Sequence, residues 1–437
     1  MKFDTLIIGG GLAGLTCGIR LQQNGQRCAI VSGGQSALDF SSGSMDLLNQ
    51  LPNGEIVSNL AQGLTELSVQ QPQHPYSLLG ADKVLAKATE FEQLAQTLQL
   101  NLKQGGQYNH LRLTPLGSLR PTWLSPASVP TFEQNEKTLS PQKIAVLGIE
   151  GFNDFQPELL CENMKQLPHF AQWQIHFSYL HIPELDHLRS DAREFRSINI
   201  SQALEHKLNF QQLVAELKKS AAGANIAFLP ACFGLDNDDF LQQLQQACGI
   251  KLFELPTLPP SLLGIRQHHL LRQAFEQAGG IMMKGDNVLR AEMTENRVTA
   301  LYTRLNEEVA LTADHYVLAT GSFFSNGLIA DFDKIIEPVF GLDLLLPTIE
   351  SEQNMPSALQ RSRWTHSRFA EAQPYQQFGV KINARCQSQK QGKTIENCYA
   401  IGAVVGGYDA IHQGCGSGVA VVTALTTADQ ILQEANV

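Results

Sequence analysis

The chain is poor in charge and in aromatic residues, which make up 17% and 7% of its 437 positions. It has no stretch of roughly 18–20 uninterrupted apolar residues, so no segment reads as a membrane-spanning helix. It also lacks any excess of positive charge. The net charge of -10 excludes nucleic acid as the main partner, because a phosphate backbone demands a basic face. A small anionic substrate stays open, since it needs only one or two local arginines. The eight cysteines, at 17, 28, 161, 232, 248, 386, 398 and 415, form no CxxC pair and no ferredoxin-type run. That excludes iron-sulfur or zinc ligation within the chain and leaves reduced, mostly buried thiols. The apolar N-terminus carries Asp4 and several glycines and has no small-residue cleavage site after an unbroken core, so it does not read as a signal peptide. The expectation is a cytoplasmic protein whose attachment to a membrane, if any, comes through a partner.

What is present is organised around the first thirty residues. Lys2 to Ile8 reads as a short buried strand, Gly9, Gly11 and Gly14 stand in the GxGxxG register, and Leu15 to Leu21 has helical apolar spacing. The first glycine makes the turn, the second lets a phosphate approach the backbone, and the third lets helix and strand pack closely. The phosphate then sits on free N–H groups at the helix N-terminus. Asn24-Gly25 stops the helix, and Arg27 to Val31 is a second strand at βαβ distance. That context points to a dinucleotide- or flavin-binding fold. The second strand ends in Ser32, where an acid for the adenosine ribose is expected. The following loop is small and polar, and Ser41, Ser42, Gly43 and Ser44 lie where ligands meet the carboxyl ends of strands.

Further along, Asp82 to Leu100 reads as a helix, and the Pro-rich, polar stretch up to Pro141 as a connector. Ile144 to Gly148, Gln174 to Leu180 and Asn225 to Pro230 read as strands, with helices at Ser201 to Ser220 and Asp238 to Ala247. This is α/β material without its own glycine fingerprint. Leu262 to Ala278 is a helix, followed by short strands at Ile281–Met283, Val288–Met293, Val298–Arg304 and Val309–Leu311, and by a closing strand from Asp314 to Ala319-Thr320-Gly321. Thr394 to Ala403 is a strand that includes Gly402. A glycine-rich loop with Gly414 and Gly416 then leads into a helix from Val419 to Glu434. Glycines before a helix allow close approach and leave N–H groups for an anion or a flavin carbonyl. The expected fold is α/β, with a Rossmann-like flavin-binding domain of parallel sheet plus small antiparallel strands and an inserted α/β domain. The expected boundaries are 1–80 with 261–437 for the flavin-binding domain and 81–260 for the inserted cap.

The N-terminal GxGxxG, the internal Ala-Thr-Gly strand and the C-terminal Tyr399-Ala400-Ile401-Gly402 strand with its glycine loop resemble flavoproteins of the fumarate reductase and glycerol-3-phosphate dehydrogenase kind. A closer resemblance runs through Gln35 to Ser44, His74 to Gly80, Pro230 to Leu235, Leu255 to Ser261, Gly321 to Phe324 and Gln413 to Gly416. It is to the family of B subunits of bacterial anaerobic glycerol-3-phosphate dehydrogenase, and it spans nearly the whole chain.

The resemblance implies oxidation of sn-glycerol 3-phosphate to glycerone phosphate, with electrons passed to the menaquinone pool and fumarate or nitrate as terminal acceptor. It also implies FMN in this chain, a larger FAD-containing A subunit as partner, and an iron-sulfur C subunit that anchors the assembly at the inner membrane. FMN gives Ser32 a meaning, because FMN has no adenosine ribose for an acid to bind; FAD is the alternative. Oxidising a secondary alcohol needs a base for the hydroxyl proton and cations for the phosphate. Arg266 and Arg120 are the candidates for the phosphate, and His412, in the C-terminal glycine loop, for the base. A second reading makes the chain an electron-relay or assembly subunit serving a neighbouring catalytic chain. An NAD-linked dehydrogenase is disfavoured by the C-terminal glycine loop and by Ser32.

Overall fold

The computed structural model describes residues 1–134, 140, 142–191, 193–207, 209–331, 334–346 and 364–435. Lys2–Ile8 forms a strand because its apolar residues are sealed on both faces, with Leu6 and Ile7 wholly buried. Burying each such side chain stabilises the fold by about 1.5–3 kcal/mol. This strand is central in an eight-stranded sheet. On one side lie Cys28–Ser32 and then Ile281–Lys284; on the other lie Asn306–Leu318 and then Lys393–Ala400, all parallel. Ile8 stands beside Val31 and Leu318, Leu318 beside Ala400, and Ser32 beside Lys284, so the carboxyl ends line one edge.

The stretch read from sequence as separate strands at Val309–Leu311 and Asp314–Ala319 is one strand of 13 residues, Asn306–Leu318. Its first part pairs antiparallel with Arg297–Thr303, and from Thr312 onward it pairs parallel with the N-terminal strand. The helix expected over Ser201 to Ser220 is two helices, Ser197–Lys207 and Phe210–Ala221. Asn209 starts the second as its N-cap, its Oδ1 accepting the Gln212 N–H at 3.2 Å. The connector expected up to Pro141 falls partly outside the described residues.

A second sheet holds Gln174–Leu180, Lys143–Ile149, Ile226–Pro230 and Lys251–Leu255 in that order, all parallel. Its apolar residues form a core separate from that of the large sheet. The change of core does not fall at residue 81. Helix Ala81–Thr97 buries Val84, Ala88 and Phe91 in the first core, where Trp123 and Leu124 also lie, whereas Leu113 belongs to the second. The spacing of Val84, Ala88 and Phe91 marks a buried face without saying which sheet it faces.

Between the cores runs a small antiparallel ribbon, with His110–Leu113 flanked by Leu119–Thr122 and Thr131–Phe132. Alternation decides its orientation. Leu113, Leu119 and Phe132 join the second core, so His110, Arg112, Arg120 and Thr122 share the opposite face.

Candidate functional site

Two helices start at the edge where the parallel strands end. Helix Leu12–Gln23 begins at Gly11, an extended N-cap to which no side chain bonds. Its first N–H groups are therefore left for a ligand. A Cβ on Gly11 would meet only Ser36 Oγ, at 3.7 Å. Gly9 and Gly14 have no such room. A Cβ on Gly9, whose φ is +115°, would stand 2.1 Å from the Ala319 carbonyl oxygen, and one on Gly14 would stand 2.0 Å from that of Gly9. Two glycines thus draw strand and helix together, and the third keeps space in front of the N–H groups. Thr320, next to Ala319, holds a buried Oγ1 without a hydrogen-bond partner. Gly402 closes the cradle from the last parallel strand: its N–H donates to Thr423 Oγ1 at 3.0 Å, and a Cβ there would stand 2.7 Å from that of Ala13. The C-terminal helix Gly416–Ala435 packs along the first helix and starts at the same edge. Gly321 makes a tight turn against Ser325.

The serine loop is held by its own hydroxyls. Ser41 Oγ accepts the Gly43 N–H at 3.2 Å, Ser42 Oγ accepts the Ser44 N–H at 3.4 Å, and the Gly43 carbonyl accepts from the Gln267 amide. The hydroxyl protons remain for a ligand. Ser44 Oγ lies 3.5 Å from Ser125 Oγ, which is 2.8 Å from His110 Nε2. Burial pushes the His110 imidazole down to about 4, with the charges of Lys103 and Arg112 adding to the effect, so it is neutral at pH 7. Gly414 sits against Asn49, a residue only 4% exposed whose Nδ2 and Oδ1 have no partner.

Arg120 and His412, far apart in sequence, line one cavity of about 440 Å³ together with Asn49, Gln50 and Phe369. Asp409 Oδ1 accepts the N–H groups of Ile411 and His412, each at 3.0 Å, and its Oδ2 lies 3.3 Å from His412 Nδ1. That contact lacks hydrogen-bond geometry, and His412 Nε2 lies 3.3 Å from the Ala370 carbonyl oxygen, to which it donates. Arg120 Nη2 reaches Asp46 Oδ2 at 3.4 Å.

Arg266 does not join them. Its guanidinium, 8% exposed, pairs with Glu254 at 2.7 Å and donates to the carbonyls of Phe233 and Gly234. Burial works against its charge, but Glu254 outweighs burial and holds the pKa above the usual arginine value. The residue ties helix Leu262–Gln277 to the second sheet, a placement that lends no support to the phosphate role expected of it. A second cavity, about 600 Å³, opens beyond the ends of Cys28–Ser32 and Ile281–Lys284 and is lined by Ser32, Asp39, His268, Arg272 and Lys284. His268 Nδ1 and Asp39 Oδ1 are 2.8 Å apart on its wall.

Sequence reasoning missed Asp46, Asn49, Arg112 and Asp409. The available signal was polar residues set in apolar runs: Asp46 and Asn49 among Met45, Leu47 and Leu48, and Arg112 between Leu111 and Leu113. Among the described residues no group of three His, Cys, Asp or Glu could hold a metal, and no helix is long and apolar enough to cross a membrane.

A family model described as FAD binding domain matches residues 4–419, so the cradle and its sheet are those of a flavin-binding oxidoreductase fold. The chain is 58% identical over 431 residues to the B subunit of anaerobic glycerol-3-phosphate dehydrogenase from Actinobacillus pleuropneumoniae serotype 5b, covering 99% of each. It is 56% identical over 431 residues to the protein of that name from Pasteurella multocida, again covering 99% of each. The chain belongs to the family of anaerobic glycerol-3-phosphate dehydrogenase B subunits. Among solved structures, 3-ketosteroid delta1-dehydrogenase from Sterolibacterium denitrificans is similar at 11% identity and a TM-score of 0.46, over 99% of this chain and 100% of that one.

Proposed function

We propose that this chain is the flavin-bearing B subunit of a respiratory, quinone-linked dehydrogenase and itself oxidises sn-glycerol 3-phosphate to glycerone phosphate. The observation that supports this most directly is the meeting of Arg120 and His412 in one cavity beside the glycine loops. When bound, the flavin supplies the hydride acceptor. The residues present fit it: the uncapped N-terminus after Gly11, the unpartnered Thr320 hydroxyl and the close contacts at Gly9, Gly14 and Gly402 form a cradle for its phosphate and ribityl chain. Ser41 to Ser44, Gly321, Gly414 and Gly416 frame the same edge. In this reading Arg120 binds the substrate phosphate, and His412, released from the Ala370 carbonyl, takes the hydroxyl proton. His412→Gln slows substrate reduction of the flavin about 100-fold.

We further propose FMN as the flavin, since no carboxylate ends the second strand and the Ser32 hydroxyl lies 3.0 Å from where a Cβ on Gly10 would be. FAD is the second reading. It is favoured by the description of the family model and by the 600 Å³ cavity, where an adenosine half would lie. Acid extraction and chromatography of the flavin separates the two, and stoichiometric FAD would overturn the FMN assignment.

An FAD-containing A subunit and an iron-sulfur C subunit at the inner membrane are the partners this role requires. The test is anaerobic addition of glycerol 3-phosphate to the purified, flavin-loaded chain. Bleaching without a partner supports direct oxidation. A flavin that stays oxidised, and is reduced only when a catalytic partner is added, makes the chain an electron relay or assembly subunit instead.

A further inference from the structure

The polar face of the antiparallel ribbon carries two arginines directly opposite one another, Arg112 on His110–Leu113 and Arg120 on Leu119–Thr122. Like charges facing each other across a ladder destabilise it unless something of opposite sign lies between them. Arg112 is only 8% exposed. Its Nε donates to Thr122 Oγ1 at 3.0 Å, and the two terminal nitrogens have no hydrogen-bond partner among the described residues. The protein elsewhere treats a buried guanidinium differently: Arg266 is met by the carboxylate of Glu254 and by two carbonyls. The Arg112 terminal nitrogens are instead left open to solvent, where an anion can reach them.

The charges around Arg112 do not balance. Among the described residues, Asp46 is the carboxylate that acts on it. Asp46 Oδ2 is 3.4 Å from Arg120, and its Oδ1 is buried without a partner. Two guanidiniums against one carboxylate, with His110 neutral beside them, leave one positive charge uncompensated on a face turned toward Ser44, Asp46 and Ile411. These belong to the serine loop and the C-terminal glycine loop that frame the flavin edge.

We propose that Arg112 and Arg120 together form the phosphate clamp of this chain, with the Arg112 fork as the residue that distinguishes a phosphate monoester from the unphosphorylated alcohol. This rests on the reading that the chain itself takes glycerol 3-phosphate, and it supplies a second arginine beside Arg120. The fork geometry suits a phosphate because two parallel N–H groups meet two oxygens. Asp46 holds Arg120 in place when no anion is present. The ribbon hangs between the two cores, so a phosphate clamped there is set against the glycine loops from the opposite side.

The test is binding to the flavin-loaded chain, measured by calorimetry with three probes: glycerol 3-phosphate, inorganic phosphate and glycerol. The expected result is that Arg112→Gln weakens glycerol 3-phosphate and inorganic phosphate about 30-fold or more and leaves the weak binding of glycerol and the flavin content unchanged. Arg112→Lys keeps the charge without the fork and falls between wild type and Arg112→Gln. It also serves if the glutamine variant does not fold. Binding of both phosphates that is unchanged in either variant overturns the clamp, as does a wild-type protein that binds neither. If inorganic phosphate binds through Arg112 while glycerol 3-phosphate binds no more tightly and does not bleach the flavin, the clamp stands and the substrate reading falls.

Discussion

The molecule contains two parallel sheets, and their carboxyl edges are used in opposite ways. At the edge of the large sheet, Gly9, Gly11 and Gly402 remove side chains, two helices begin, and Thr320 Oγ1 is left without a partner. At the corresponding edge of the second sheet, past Pro230 and Leu255, the backbone carbonyls of Phe233 and Gly234 are taken by Arg266, whose charge is met by the fully buried Glu254. A parallel sheet thus offers a site only where its edge polar groups remain unsatisfied. The second edge is closed by a residue delivered from helix Leu262–Gln277, which also packs against the first helix. One helix therefore serves both sheets, and it does so through a salt bridge rather than a ligand.

The closed edge gives the largest expected effect. Arg266→Ala leaves Glu254 buried and alone and should cost about 3–5 kcal/mol, read as a lower urea midpoint. Replacing both partners, Arg266→Met with Glu254→Leu, should recover most of that loss, because no uncompensated charge remains. Loss of flavin with unchanged stability would instead make the second edge a ligand site and break the comparison.

At the open edge, Gly9→Ala is next. The added Cβ falls 2.1 Å from the carbonyl oxygen of Ala319, a residue whose N–H is tied to the Ile8 carbonyl at 2.8 Å, at a φ that side chains disfavour. The expected cost is about 2–4 kcal/mol, with loss of bound flavin on gel filtration. Gly11→Ala, which meets only Ser36 Oγ, should be stable and lose flavin alone. The pair separates what holds the cradle together from what fills it.

This division also explains how much was legible beforehand. Gly9, Gly11 and Gly14 announced themselves because βαβ geometry needs three glycines at fixed spacing within one short stretch. The strand ending in Ala319-Thr320 and the C-terminal glycine loop were readable for the same local reason. The partner of Arg266 was not legible, because an arginine between Ile265 and Gln267 shows its charge but not its neighbour, and Glu254 reaches it only through the fold. Arg112 went unseen because its meaning depends on a cross-strand neighbour, Arg120, and a register no single strand reveals.

Acid should loosen the open edge before the closed one. His74 lies beneath the C-terminal glycine loop; its Nδ1 accepts the Tyr76 N–H at 3.0 Å, and its Nε2 faces Cys415 Sγ at 3.8 Å. Burial pushes its pKa down to about 3 from the ordinary value near 6.5. The folded state keeps it neutral while the unfolded chain takes up a proton. The stability it contributes is therefore complete above about pH 6.5 and is lost as the pH falls toward 3. At pH 5 the loss is about 2 kcal/mol. His110, pushed down to about 4, adds in the same direction. His74→Asn, which can still accept the Tyr76 N–H as an N-cap, should remove its share of the slope in urea unfolding at pH 7 and pH 5. An unchanged slope would place the acid sensitivity elsewhere.

The smallest effect concerns Ser32, at the rim of the open edge. If the flavin ends at one phosphate, nothing of it reaches the end of the second strand, and Ser32→Ala should change flavin affinity less than about 3-fold, or about 0.7 kcal/mol. If an adenosine ribose lies there, the hydroxyl makes a hydrogen bond worth about 0.5–1.5 kcal/mol, and the loss approaches tenfold. Ser32→Asp enlarges the contrast. An acid at this position suits a ribose diol and should tighten FAD, but it gives FMN nothing to bind. Fluorescence titration of the apoprotein with each flavin reads both variants directly. Tighter FAD binding in Ser32→Asp with FMN unchanged would show that the cavity beside Lys284 and Arg272 accepts an adenosine, and that the missing acid limits affinity without excluding the dinucleotide.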